Sequence, residues 1–266
     1  MTTRFALLLF ALQGFAFAQE KVPVPLSNPG QPVTLKIHLT NGSVTVLGGP
    51  GNEVSVETGS ASTPPRPPRQ RDDVPAGMKR IDFGRPGLNI EEKANEITID
   101  DHGGMSGNIT IKVPTRTTVQ AKTISGAISI SSVEGSVEAE ATNGSVTLTA
   151  IAGAVVAHSL NGGIKADIVK ATADQPMSFT SLNGKIDVTL PAGTKARLRL
   201  KTQWGEVYSD FDMKMEPNTP PAVEDSRGDK GKYRVKIDRS VTATINGGGP
   251  EYLFQTMNGS ILIHKK

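Results

Sequence analysis

The stretch that decides the fold runs from Gly126 to Ala166 and reads GAISISSVEGSVEAEATNGSVTLTAIAGAVVAHSLNGGIKA. Glycines recur in it every nine residues, and the second and fourth residues after each of these glycines are apolar. A period of two places the apolar pair on one face of a β-strand and mostly Ser, Thr, Glu or Lys on the other. No helical period fits, so the stretch predicts short strands separated by glycine corners. The glycines are Gly126, Gly135, Gly144, Gly153 and Gly162.

The nine-residue step is half of an 18-residue unit. Alternate strands carry larger inward pairs, such as Ile and Ile, than the Val and Ala pairs of the strands between them. The Asn-Gly pairs that begin at Asn143 and Asn161 repeat at the same doubled interval. We therefore predict an all-β, single-stranded parallel β-solenoid with two short strands in each coil of about 18–22 residues. In this arrangement Ile128, Val146 and Ile164 stack on one another inside.

Glycine and Asn-Gly mark the predicted corners of the coils. A tight corner needs a residue at positive φ, which glycine adopts freely and asparagine tolerates. Asn-Gly is also a strong hairpin signal, so antiparallel hairpins in a meander or sandwich are the alternative. The fixed step with alternating side-chain size favours the solenoid. The predicted turn-forming residues are Gly126, Gly135, Gly144, Gly153, Gly162, Gly184 and Gly259.

Proline corners follow two of the predicted strands, at Pro114 and at Pro191. In both places the strand reaches the proline, turns, and returns as a second strand with alternating apolar residues. After Pro191 the alternation directs Leu198 and Leu200 inward and four basic residues outward. We interpret these four residues, the basic stripe, as a candidate surface-binding site. They are Lys195, Arg197, Arg199 and Lys201.

The first 18 residues read as a secretory signal peptide. Arg4 precedes the apolar run Phe5–Leu12, and Ala16-Phe17-Ala18 then supplies a small-residue cleavage motif. The apolar run is shorter than the roughly 20 residues that a transmembrane helix needs. We predict cleavage before Gln19 and export to the periplasm, the cell envelope or the exterior, with no transmembrane span in the mature chain.

Residues 19–266 are expected to form a single solenoid domain with two inserted loops. The first, at about 58–88, contains the run PPRPPR at 64–69, and proline removes the N–H groups that a sheet requires. A basic tether for an anionic envelope polymer and a plain surface insertion are both open for this loop. The second loop, at about 216–231, reads EPNTPPAVEDSRGDKG.

Composition excludes several classes of function. The chain has no cysteine, which excludes a lipid-modified cysteine, disulfides, thiolate metal sites and a thiol nucleophile. The net charge is only +3, the basic residues are dispersed, and aromatic residues make up 5% of the chain. Nucleic-acid binding favours a concentrated basic face and stacking aromatics. We therefore expect no nucleic-acid partner.

The titratable residues show no recognisable catalytic or metal-binding motif, so we predict no catalytic residue, metal or cofactor. Asp100-Asp101-His102 is the densest polar cluster, and a polar turn explains it as well as a site does. There is neither an H-E-x-x-H sequence, nor a G-x-S-x-G sequence, nor a repeated calcium-binding nonapeptide. The four histidines are His38, His102, His158 and His264.

Outward carboxylates keep an enzymatic alternative open. Glu138 and Glu140 lie two positions apart on one predicted strand, and Asp167 and Asp187 lie on others. Paired carboxylates serve in glycoside hydrolysis, so a carbohydrate-active enzyme, a polysaccharide lyase or hydrolase on a β-helix scaffold, is the second hypothesis. Isolated outward acids more often keep a surface soluble.

The repeat resembles the DUF4097 family of bacterial adhesin-like β-solenoid proteins. The resemblance rests on the strand–proline–strand run that ends in Ser125-Gly126, on the repeated units that follow, and on GGGPEYLFQTMNGSILI at 247–263. It covers roughly residues 95–266, with the strands of 33–57 as a first coil. The resemblance implies a β-solenoid with an adhesin-like role and supplies no family catalytic residue.

Two classes of function follow from these observations. The first is a non-enzymatic, exported cell-envelope module that binds or scaffolds a glycan, an envelope polymer or a protein, and the second is the enzyme described above. Self-association through open solenoid edges is a further expectation, because unpaired strand edges invite pairing.

Overall fold

A computed structural model of the chain describes residues 20–59, 87–102, 107–217, 222–226, 232–236 and 240–266. The predicted signal peptide lies outside these residues, as does most of the Pro/Arg-rich segment, since 60–86 are not described. The described residues form strands and no α-helix. None of them therefore belongs to a helix long and apolar enough to cross a membrane.

The strands follow one another along the chain with short connections. The first eight are β1 (Glu20–Val24), β2 (Val33–Asn41), β3 (Val44–Gly49), β4 (Val54–Gly59), β5 (Gly87–Lys93), β6 (Glu96–His102), β7 (Asn108–Pro114) and β8 (Thr117–Ser125). The next eight are β9 (Ile128–Ser131), β10 (Val137–Asn143), β11 (Val146–Ala152), β12 (Val155–Ser159), β13 (Ile164–Lys170), β14 (Met177–Asn183), β15 (Ile186–Leu190) and β16 (Ala196–Lys201). The last are β17 (Val207–Ser209), β18 (Lys214–Met215), β19 (Ala222–Ser226), β20 (Lys232–Lys236), β21 (Val241–Ile245), β22 (Glu251–Asn258) and β23 (Ile261–Lys265).

Two large sheets form the body of the molecule. Within the described residues, sheet A has ten strands in the order β1-β4-β7-β3-β9-β11-β13-β15-β23-β17, and sheet B has 11 in the order β18-β21-β16-β22-β14-β12-β10-β8-β2-β6-β5. Each coil places one strand in sheet B and the next strand in sheet A, as β10 and β11 do. Neighbouring coils pair in parallel. Among the described strands of these two sheets, antiparallel pairs occur at the β1 end of sheet A and at both ends of sheet B. The all-β parallel solenoid is therefore confirmed.

The coil length and the internal stack also agree with the prediction. Val146 pairs with Ile128 on one side and with Ile164 on the other. Asn143 and Asn161 occupy equivalent corners and are 18 residues apart, and the next equivalent residue, Asn183, follows after 22. The strand period therefore sets the register, because a slip of one residue would turn every apolar side chain outward.

The coils are not stacked in chain order at the two ends. The coil β2–β3 lies between β6–β7 and β8–β9, so the strands of 33–57 do not form the first coil of the stack. The last coil in the chain, β22–β23, likewise lies between β14–β15 and β16–β17. The expectation that the strands of 33–57 form the first coil is thus wrong. Local spacing specifies the shape of a coil, and contacts between distant segments specify its neighbours.

The core is a continuous column of inward side chains whose size varies along the axis. In the middle of sheet B the inward residues are small, for example Val137 and Ala139. Towards the C-terminal end they become aromatic, and the rings of Phe179 and Phe254 stack with centroids 5.1 Å apart. This pair joins β14 to β22 and therefore packs the last coil of the chain against a coil that precedes it by many residues.

The predicted glycines lie at bends between strands, but positive φ does not explain most of them. Only Gly126 and Gly153 of the seven have positive φ, at 156° and 154°. A Cβ added at Gly144 would lie 1.9 Å from the carbonyl oxygen of Gly126, and one added at Gly162 would lie 2.2 Å from that of Gly144. The corners thus require glycine because the backbones of successive coils touch there.

A buried serine lies three residues before the corner glycine in two of the coils: Ser159 before Gly162 and Ser181 before Gly184. The hydroxyl of Ser159 donates to the carbonyl oxygen of Gly144 at 2.8 Å, and that of Ser181 donates to the carbonyl oxygen of Gly162 at 3.0 Å. Each bond links one coil to the preceding coil at the point where the glycine backbones approach. A buried hydroxyl without such a partner would be costly.

The segment predicted as a second loop contains a strand. Residues 222–226 form β19, which pairs antiparallel with β20 at 232–236. A hairpin therefore takes up part of 216–231. Its charged sequence and nearby prolines hide the strand from a pattern based on alternating apolar residues.

Candidate functional site on the outer face of sheet B

The outer face of sheet B carries a groove across the strands β6, β2, β8 and β10, which we name the N-terminal groove. Its volume is about 310 Å³. The wall combines charged groups, hydroxyl groups and the side chain of Ile124, which is 53% exposed. Its polar lining includes His38, Thr40, Asp101, Lys122, Glu140 and Thr142.

Strand pairing sets the position of one row of polar, titratable side chains along this groove. His38 in β2 pairs with Asp100 in β6 and with Lys122 in β8, and Lys122 pairs with Glu140 in β10. Equivalent residues of neighbouring strands lie about 4.8 Å apart, so these four side chains form a row across four coils. The His38 Nδ1 atom lies 2.9 Å from a carboxylate oxygen of Asp100.

Hydrogen bonds and ion pairs hold the groove residues. The ammonium group of Lys122 lies 3.0 Å from the carboxylate of Glu140 and 3.4 Å from that of Glu138. The hydrogen bond and charge of Glu140, together with the charge of Glu138, raise the pKa of Lys122. Asp101 accepts hydrogen bonds from the backbone N–H of Thr40 at 2.8 Å and from its hydroxyl at 3.0 Å. These contacts keep donors and acceptors in a fixed arrangement.

The basic stripe begins at Lys195, just before β16, and continues along β16 at the other end of sheet B, away from the groove. Lys195, Arg197 and Arg199 are exposed as the alternation predicts, and Lys201 is half-buried. The Arg197 guanidinium donates to Glu216 at 2.7 Å, and this bond raises the pKa of Arg197. Arg199 and Lys201 also make polar contacts. Arg197 is thus held in an ion pair, and the role of the stripe in binding stays a prediction.

The outward carboxylates singled out from the sequence divide between the two sheets. Glu138 and Glu140 lie on β10 in sheet B and share the ammonium group of Lys122. Asp167 and Asp187 lie on sheet A, where Asp167 is 3.1 Å from Lys266 and Asp187 is 2.7 Å from Lys185. Charge pairing accounts for all four acids, and the structure does not bring the two pairs together.

The histidines do not converge on a common site. His38 contributes to the N-terminal groove, His158 lies on the neighbouring strand β12, and His264 lies near Asp187 and Asp210 in sheet A. In the described part of the chain, no group of three or more His, Asp or Glu side chains is arranged to hold a metal ion.

An asparagine ladder runs along one corner of the solenoid. Each side-chain amide donates to the amide oxygen of the preceding coil, at 2.9 Å from Asn161 to Asn143 and at 2.8 Å from Asn183 to Asn161. Asn258 continues the ladder by donating to Asn183 at 2.7 Å. These amides hold the coils in register, which gives the Asn-Gly pairs a second structural role beside the turn.

Sequence reasoning missed most of the groove. Lys122 and Glu140 are one coil apart, so the 18-residue repeat was sufficient to predict that they are neighbours. Thr40 and Asp101, in contrast, are 61 residues apart and meet because β2 lies beside β6. No local spacing signals that contact.

Two parallel sheets wound from short coils, with a polar groove on one outer face, define the class: this is a parallel β-solenoid protein. The model of one family, described as Toastrack DUF4097, matches residues 88–241. That match spans more than half of the 266 residues, and the chain belongs to this family. The resemblance noted from the repeat is confirmed.

Two solved structures are similar to the chain. One is a "putative cell adhesion protein" from Clostridium sporogenes, with 11% identity, a TM-score of 0.48, and coverage of 94% of this chain and 100% of that one. The other is a "putative adhesin" from Bacteroides fragilis, with 11% identity, a TM-score of 0.40, and coverage of 94% and 98%. No curated protein matches the sequence.

Proposed function

We propose that the protein is a non-enzymatic, adhesin-like binding module of the cell envelope that holds a polar glycan polymer in the N-terminal groove. The proposal rests on the N-terminal groove, because a row of hydrogen-bond donors and acceptors lies there on the face of a regular sheet. Membership in the family with the Toastrack description agrees with a β-solenoid module.

The chemistry of the groove suits a chain of sugars that bears hydroxyl and carboxylate groups. Lys122 supplies a cation, while Thr40 and Thr142 supply hydroxyl groups. Asp101 and Glu140 accept hydrogen bonds, and Ile124 offers an apolar contact for the C–H face of a sugar ring. Because the strands repeat every 4.8 Å or so, the row can follow an extended polymer.

Export is part of the proposal. The N-terminal pattern of Arg4, the apolar run Phe5–Leu12 and the motif Ala16-Phe17-Ala18 supports secretion. A protein delivered by this route meets envelope polymers in the periplasm or outside the cell.

Co-sedimentation of the mature protein with purified peptidoglycan tests the proposed binding. We expect Lys122→Ala to weaken the association about tenfold, since one charge-assisted hydrogen bond contributes about 1.5 kcal/mol. Lys112→Ala is the matched control, because Lys112 forms a 2.7 Å ion pair with Glu57 on sheet A, away from the groove.

Equal retention of both variants would refute the groove as the binding site. The enzymatic alternative is tested on the same samples by assaying for new reducing or unsaturated ends. Release of such ends by the unaltered protein, abolished in Glu138→Gln, would replace the binding module with a carbohydrate-active enzyme.

A further inference from the structure

The C-terminal end of sheet A is an open edge. β17 is the last of the described strands in this sheet, and it pairs with β23 on one side only. Its large side chains are solvent-exposed: Val207 by 39% and Tyr208 by 53%. Trp204, just before the strand, is 73% exposed. An exposed edge with apolar side chains is an uncommon feature in a protein that acts alone.

Val207 ends an internal column of apolar residues. It pairs with Ile261, which pairs in turn with Ile186, and both isoleucines are fully buried. Val207 therefore occupies a core position that has no outer neighbour among the described strands. At the opposite end of sheet A, the antiparallel strands β4 and β1 extend the corresponding column through the buried Val56 to Val22, which is partly exposed.

The backbone of this edge has unused pairing capacity. The carbonyl oxygens of Trp204 and Glu206 accept bonds from the neighbouring coil, and the N–H of Asp210 donates to it. Alternate residues of a strand face opposite neighbours, so the peptide groups of Val207 and Ser209 are directed towards the open side.

We propose that a second copy of this chain binds here, with its β17 antiparallel to the first and the two-fold axis passing through Val207. The two Val207 side chains then face each other and close both apolar columns. In the same register, Glu206 lies opposite Tyr208 of the second copy. The hydroxyl of Tyr208 already donates to Glu206 within one chain, so the carboxylate lies between two phenols.

Charge favours this register over its neighbour. If the axis passed through Tyr208 instead, Glu206 would lie opposite Asp210 of the second copy. Like charges directly opposite one another destabilise a strand pair, whereas an acid opposite a phenol does not. A dimer that pairs the same edge of both copies is also closed, so assembly stops at two.

This dimer goes beyond the proposed function and does not depend on it. The N-terminal groove spans β6, β2, β8 and β10, whereas the proposed interface is at the other end of the solenoid. Both grooves therefore stay accessible, one at each far end of the particle. Such an arrangement allows two attachments to one polymer and raises the overall avidity.

Sedimentation velocity of the mature chain over a concentration series provides the first test. We expect a concentration-dependent doubling of mass, lost in Val207→Lys, which places a charge in the interface. Val22→Lys is the matched control, because Val22 is 37% exposed on β1 at the opposite end of sheet A. A monomer at all concentrations, or loss of the dimer in the control alone, would overturn the proposal.

Cysteine cross-linking tests the register. The natural chain contains no cysteine, so Val207→Cys places one thiol at the proposed axis and no other thiol interferes. Directly opposed residues in a hydrogen-bonded antiparallel pair have Cα atoms about 5.5 Å apart, within disulfide range. We expect Val207→Cys to form a covalent dimer on oxidation. Ser209→Cys, which faces Gly205 of the second copy, is expected to form none, and equal cross-linking of both variants would refute the register.

Discussion

The central coils and the two ends of this solenoid are built from the same kind of strand but are assembled differently. From β10 to β15 each coil lies beside the coil that precedes it in the chain, 18 or 22 residues earlier. At the ends, neighbours come from distant segments: Lys36 meets Glu96 across 60 residues, and Asn258 meets Asn183 across 75. The centre can form step by step. The last coil, β22–β23, must enter between two coils that precede it, whereas the coil β2–β3 is flanked by two coils that follow it in the chain.

The centre and the C-terminal end are stabilised by different kinds of contact between coils. In the centre, close backbone contacts at the glycine corners and parallel strand pairing join the coils. At the C-terminal end the inserted coil adds large side chains, including Tyr252 and Phe254, between existing layers. Closing a contact between distant segments costs more chain entropy, and larger buried surfaces compensate for it.

Removal of the inserted coil is the change with the largest expected effect. Deletion of residues 251–266 separates β15 from β17 and β14 from β16, because β22 and β23 lie between them. Three of its fully buried side chains, Tyr252, Phe254 and Ile261, contribute on the order of 5–9 kcal/mol. That is comparable with the whole stability of a typical domain, about 5–15 kcal/mol. We expect urea denaturation to show loss of the cooperative transition.

A shorter deletion serves as the control for this truncation. Removal of Lys266 alone breaks an exposed ion pair with Asp167 and one backbone hydrogen bond to Leu190, which should change the free energy of unfolding by about 1–2 kcal/mol. If the chain without 251–266 kept the native transition, the inserted coil would be dispensable and the contrast between centre and ends would be wrong.

Gly144→Ala tests the close backbone contact in the centre, with the second largest expected effect. The new Cβ would lie 1.9 Å from the carbonyl oxygen of Gly126, and backbone atoms cannot move aside as a side chain can. We expect a loss of about 4 kcal/mol or more in the free energy of unfolding, measured by chemical denaturation.

The control for this substitution is Gly193→Ala. A Cβ at Gly193 meets no atom within 4 Å, so the expected change is small or slightly stabilising. Similar effects at both positions would mean that general loss of glycine flexibility, and not contact between coils, explains the glycine period.

Glu92→Gln tests the hydrogen bonds of one carboxylate at the N-terminal end and has the smallest expected effect. The Glu92 carboxylate accepts hydrogen bonds from the backbone N–H groups of Ser27 and Asn95, each at 3.0 Å, and joins the segment before β2 to the turn before β6. These bonds hold the pKa of Glu92 below its ordinary value. Its contribution to stability is therefore present at neutral pH and is lost as the pH falls through the lowered pKa.

Thermal unfolding at several pH values checks this expectation. The melting temperature of Glu92→Gln should lie below that of the unaltered protein at neutral pH, and the difference should shrink in acid. Glu91→Gln is the control, because the exposed Glu91 accepts its hydrogen bond only from the nearby Asn89 among the described residues. A difference that grows in acid would contradict the assigned bonds.

Only part of the N-terminal groove could have been predicted from the sequence repeat. Lys122 and Glu140 are one coil apart, so the repeat could have indicated their contact, and their pairing follows the same register as the core. The positions of His38 and Asp101 beside them depend on where β2 and β6 enter the stack. The basic stripe was predicted on the correct strand and face, but its partners, such as Glu216, come from another segment.

The sequence by itself determined the strand period, the inward and outward faces, the glycine corners and the coil length. These features depend on interactions that repeat locally, and apolar alternation reports them directly. Only the tertiary structure decided the order of the coils at the ends, the reason for glycine at the corners, the assembly of the groove and the open edge at Val207. Each of these depends on which distant backbone lies alongside, a choice made by the summed burial of whole coils rather than by any short pattern.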